Sequence, residues 1–190
     1  MNLPLPRRPI SGLPPAGPGM HSLPPAARAR PETDLPSPRM TAKTAAAPLV
    51  LASEAAVLEI VDGFRTRTLP EPRWTHQAHL VVGLWHVLNL PGDAVLAALR
   101  RGITAYNLSV GTANTDTGGY HETITRFYAW AIRKFVAEAR SGASLLELAN
   151  ALLASRYAAK RFPFEYYSRD RLLSVAARRA WLDPDLKPLD

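Results

Sequence analysis

The stretch "WTHQAHLVVGLWHVLNL", Trp74 to Leu90, decides how this chain folds. On a helical wheel that starts at His76 and advances about 100° per residue, Leu80, Val81, Val82, Leu84, Trp85, Val87 and Leu88 spread around almost the whole circumference. A helix that is apolar nearly all round is a buried, central one. Its neighbours in sequence must then supply a shell of further helices. His76, His79, Gly83, His86 and Leu90 share the one exception, a stripe about 80° wide. Such a stripe faces protein or a cavity, where an unpartnered imidazole is costly.

Working outward, Thr75 is a good N-cap for this helix and "LPGD" ends it after Asn89. Upstream, a helix from Ser53 to Arg65 stops before "LPEP", because proline cannot continue it. Downstream, Asp93 opens "AVLAALRRGITAYNLSV", which Gly111 closes, and "GTANTDTGG" is a loop of turn-forming residues. A fourth helix is expected from Tyr120 to Arg140 and a fifth from Ser144 to Tyr157. "KRFPFEYY" is a proline-broken aromatic connector, best read as a clamp onto the bundle, and Ser168 caps a last helix, "RDRLLSVAARRAWL". No stretch alternates in the manner of a strand. The expectation is an all-α fold, a single helical bundle of about six helices over residues 46–190 with sequential neighbours mostly antiparallel.

Residues 1–45 read differently. Eleven of the eighteen prolines lie there, with little hydrophobic periodicity between them. Too little apolar surface is available to offset the entropy of ordering such a segment, so a disordered Pro/Arg-rich tail is expected. The tail also holds most of the net charge of +7: six basic against two acidic residues, compared with seventeen against fourteen in the remainder. A nearly balanced globular part, without a face of interleaved arginines and aromatics, argues against nucleic acid as a partner. The absence of cysteine removes disulfides and thiolate chemistry. No apolar run reaches the ~18 residues of a membrane span, and the expected compartment is the cytoplasm.

The histidines carry the functional expectation. Two at i,i+3, His76 and His79, turn their rings to one side of their helix. Some forty residues later, "GYHET" places His121 on the core side of the fourth helix, with Ile124, Phe127, Tyr128 and Ile132. Three imidazoles from two helices suit a transition metal with open coordination positions, zinc, iron or copper, for hydrolysis or oxidation of a small organic molecule. His86 lies two turns from His79, too far to share the ion, and is assigned with Glu122 to proton handling. Glu122 also reads as a capping carboxylate or as the i,i+4 partner of Arg126. Gly83 between the histidines leaves room for a ligand or for close helix packing.

Two alternatives stand beside the metal. One is a metal-free pocket for an anion or small molecule, in which backbone N–H groups of Gly118, Gly119 and Tyr120 join the histidines. The other is a structural helical module whose histidines only pack.

The segments "WTHQAHL", "AYNLSVGTANTDTGGYHETIT" and "YYSRDRLLSVAARRAWLDPDLKPL" together resemble a group of small bacterial all-helical proteins of unknown function that share WTHxAHL followed by GYHET. The resemblance covers most of residues 60–190 and implies that His76, His79 and His121 act as a set. No His-Asp pair is present, so the chain does not resemble the HD phosphohydrolases.

Overall fold

The computed structural model describes residues 50–190, so the expected tail at residues 1–45 lies outside the described part. Seven α-helices follow one another: α1 (Glu54–Thr66), α2 (His76–Asn89), α3 (Gly92–Ser109), α4 (Glu122–Glu138), α5 (Leu145–Ala154), α6 (Arg169–Leu172) and α7 (Val175–Arg179). Short 3-10 turns occupy Glu71–Arg73, Arg156–Ala158 and Phe162–Glu165, and no strand occurs among the described residues. The all-helical expectation holds.

Side-chain caps set most of the helix starts. Ser53 accepts from the N–H of Ala56, Thr75 from that of Ala78, and Ser168 from that of Arg171. Ser144 forms a reciprocal capping box with Glu147. Each such cap contributes about 1 kcal/mol by satisfying an otherwise orphaned donor. The expected last helix is instead two. Ser174 turns its hydroxyl to the carbonyl of Arg171 and accepts from the N–H of Ala177, so it ends α6 and starts α7. A serine that competes for the backbone in this way breaks a helix that apolar periodicity would carry through.

α2 packs against α1, α3, α4 and α5, and Leu80, Val81, Val82 and Leu84 are completely buried in the centre. Two glycines set the closest approaches. A Cβ at Gly83 would lie 2.6 Å from Cδ1 of Ile132 on α4. One at Gly102 would lie 2.6 Å from the Phe64 ring of α1. Gly83 therefore serves close packing of α2 on α4. The connector after α5 buries Phe162, Tyr166 and Tyr167 around Phe127 of α4, with ring centroids 5.4 to 6.0 Å away. It clamps the C-terminal segment to the bundle as expected.

The C-terminal segment also clasps the α3–α4 loop. Arg179 holds Asp116 through two hydrogen bonds of 2.7 Å, and Arg178 donates to the carbonyls of Gly119 and Tyr120. At the second residue of α4, the Thr123 hydroxyl donates to the carbonyl of Ala180 and accepts from the N–H of Leu182. Among the described residues, no helix is long and apolar enough to cross a membrane.

Inside that loop Gly119 has φ +73°, and a Cβ there would sit 2.6 Å from the carbonyl oxygen of Ala113. Both the left-handed backbone and the contact exclude a side chain. Gly119→Ala is expected to lower stability by about 2 kcal/mol or more in chemical denaturation. A loss of a few tenths would show the loop to be adjustable.

Candidate functional site

His121 is the N-cap of α4 and not a residue of its apolar face. Its backbone is extended (φ −141°, ψ 109°), and Nδ1 accepts the N–H of Ile124 at 3.3 Å. Since that nitrogen accepts, the ring hydrogen lies on Nε2, which donates to the carbonyl of Leu172 at 3.0 Å. Both nitrogens are occupied within the protein. Burial, with Arg178 nearby, lowers its pKa to about 4, so the ring is neutral at pH 7.

These contacts overturn the three-histidine metal site. Among the described residues, no group of three His, Asp or Glu side chains is placed to hold an ion. His121 has no lone pair left for a metal, and His76 turns away toward the segment after α5, where Nε2 meets the carbonyl of Ala158 at 3.0 Å. A helical wheel holds only for helical backbone, and the extended conformation of His121 takes its ring off the apolar face of α4.

His76 and His79 face a hollow between α2, α3 and α4, with a volume of about 290 Å³. Leu80, Leu99, Ile103, Ile124 and Ile132 form most of its wall, and its polar side chains are His76, His79, Thr125 and Tyr128. Each of the four gives its hydrogen to a main-chain carbonyl. His76 donates to Ala158, His79 to Thr75 at 2.7 Å, Thr125 to His121 at 2.8 Å, and Tyr128 to Ala159 at 3.2 Å. The carbonyl can only accept, so it fixes the tautomer of each ring. His79 keeps a bare Nε2 and His76 a bare Nδ1.

His79 is also held by stacking. Its ring lies 3.8 Å from that of Trp74, which stacks on Phe64 at 4.7 Å. Burial, partly offset by the Thr75 carbonyl, lowers its pKa to about 4. Burial likewise lowers that of His76. At neutral pH both rings are uncharged acceptors. A second hollow, of about 370 Å³, adjoins the first, and His79, Ile103, Ile124 and Thr125 line both. Glu71, Asn107, Tyr120, His121 and Arg178 make its mouth more polar. Arg178 reaches it from α7, and nothing in the sequence near the histidines announces that.

The residues assigned to proton handling stand elsewhere. His86 opens to neither hollow, as described below. Glu122 is 7% exposed and receives Arg100 through bonds of 2.9 and 2.5 Å and the Tyr120 hydroxyl at 2.8 Å. Burial raises its pKa, but these hydrogen bonds outweigh that and hold it below the ordinary carboxylate value. Tyr120 is pushed up to about 12 by burial and the carboxylate. The partner of Glu122 is Arg100 of α3 and not Arg126. The expected anion cradle is also occupied, since the N–H of Gly118 goes to Thr115 and that of Tyr120 to Asn114. No protein-family model, curated protein or solved structure matches the chain.

An imidazole whose pKa falls on folding binds protons more tightly in the unfolded chain. The stability it contributes is complete above about pH 6.5 and is lost as pH falls toward 4. For His121 the loss amounts to about 3 kcal/mol. Thermal melts between pH 7 and 4 are expected to show a steep fall for the parent. His121→Asn, which keeps a capping side chain, should melt lower at pH 7 yet fall less steeply.

Proposed function

We propose that the chain binds a small molecule with an apolar body and an O–H or N–H donor, in the hollow between α2, α3 and α4, without a metal. The observation that carries this reading is the one-sided polarity of the wall. Its four polar side chains have given their hydrogens to the backbone, and so offer lone pairs to whatever enters. A ligand that brings only acceptors would meet unmatched acceptors, while one that brings a donor meets His79 Nε2 in a fixed orientation. The apolar walls supply the remaining affinity by removing the ligand body from water. The adjoining hollows, about 290 and 370 Å³, suit a compact organic molecule by comparison with the ~300–1,000 Å³ of known small-molecule sites.

The test uses a matched pair, indole and benzothiophene, which share a shape and differ in the N–H donor. Titration calorimetry is expected to show indole bound about tenfold more tightly, the worth of one hydrogen bond of ~1.4 kcal/mol. His79→Phe should abolish that preference while retaining weak binding of both. Equal affinity in the parent, or no binding of either, would overturn the reading.

A further inference from the structure

His86, which the small-molecule site does not use, lines a separate hollow of about 330 Å³ formed by the end of α1, α2 and the middle of α3. It shares no lining residue with the two hollows that meet at His79. Ala98, Gly102 and Ala105 of α3 leave space in its wall, while Phe64 of α1 closes onto Gly102. Around this space stand three arginines: Arg65 from α1, Arg67 from the residue that caps it, and Arg101 from α3. Among the described residues, no acidic side chain lines it.

The arginines differ in their commitments. Arg65 reaches Asp62 at 3.3 Å and lies 4.8 Å above the Trp85 ring. Arg67 and Arg101 form no ion pair among the described residues. Three guanidinium groups around one space repel one another, and an anion placed between them removes that repulsion. Their forked donors match the oxygens of a tetrahedral oxyanion. A cation is excluded by the same charge.

His86 supplies the independent indication of a ligand. It is only 5% exposed, wedged edge-on between Phe64 and Trp85, and Nδ1 donates to the carbonyl of Val82 at 2.8 Å. Nε2 is therefore bare and has no protein partner among the described residues. Every side-chain nitrogen or oxygen that is sealed from solvent there does have one. Nε2 thus keeps an opening, and the space that His86 lines provides it.

We propose that this hollow is a binding site for a small phosphate-type anion, held by Arg65, Arg67 and Arg101, with His86 donating from Nε2 after taking up one proton. Without an anion, burial, with Arg65 beside it, keeps the ring neutral. Arg65, Arg67 and Arg101 are the charged groups that line the space with it, and Asp62 acts only through Arg65. Anion binding reverses the local sign, so the imidazole gains a proton and becomes the fourth donor. Affinity accordingly rises as pH falls.

Calorimetry on the full chain tests this with three probes. Sulfate does not titrate between pH 5 and 8, so its pH dependence isolates the proton on His86. Its affinity is expected to rise as pH falls, approaching tenfold per pH unit, and two buffers of different ionisation enthalpy should report uptake of about one proton. Inorganic phosphate and glycerol 3-phosphate then distinguish a site for the free ion from one for a monoester, the tighter of the two naming the source.

Arg101→Gln changes an exposed residue and should weaken all three probes by about tenfold without lowering the melting temperature. His86→Gln should leave sulfate binding independent of pH. Binding unchanged by both substitutions would place the anion on other basic residues of the chain and overturn the proposal. So would the absence of sulfate binding at pH 5.5, or parent binding that does not vary with pH.

Discussion

Every histidine of the described fold gives its ring hydrogen to a main-chain carbonyl: His76 to Ala158, His79 to Thr75, His86 to Val82 and His121 to Leu172. This single constraint fixes tautomer and ring orientation at four places, while burial, against the pull of those carbonyls, keeps the rings uncharged at neutral pH. Two of these carbonyls lie four residues before the ring, Thr75 at the N-cap of α2 and Val82 within it, and each has a lone pair to spare for the imidazole. The other two lie in the segment that follows α5, so the imidazoles also tie that segment to the bundle. Three of the four rings are left as acceptors, and the fourth is consumed as a cap.

The architecture was legible because its signals are local. Ser53, Thr75, Ser144 and Ser168 cap helices by hydroxyl bonds to a backbone N–H three residues on, a spacing visible in any sequence. The apolar girdle of α2 likewise announces a central helix, and the structure places it against four others. The break at Ser174 was hidden, because the same residue type fits an exposed helical position and a cap equally well.

The site was less legible, for a reason that a wheel cannot capture. His121 stands where Ser, Thr, Asp or Asn commonly caps a helix, and an imidazole acceptor does the same work from a non-helical backbone. Its angular position had no meaning. His79 and His86 share a stripe, but they are two turns apart: α3 lies beside both, while α4 closes the space at His79 and α1 the space at His86. Long-range partners were equally invisible: Arg100 for Glu122, and Arg178 at the polar mouth of the second hollow. Glu122 has the sequence context of an exposed first-turn carboxylate, yet the reach of an arginine from α3 makes its burial tolerable.

The clasp between the C-terminal segment and the α3–α4 loop bears on how the protein is made. Arg178, Arg179, Ala180 and Leu182 reach partners 57 to 63 residues earlier in the chain. Such pairings form only after the long intervening stretch has closed, which costs loop entropy and time. On a ribosome the helices through α5 emerge and begin to pack before this segment has left the exit tunnel. The polar mouth near Tyr120 is therefore completed only after the helices through α5, and a nascent chain has no finished pocket until the segment around Arg178 has emerged.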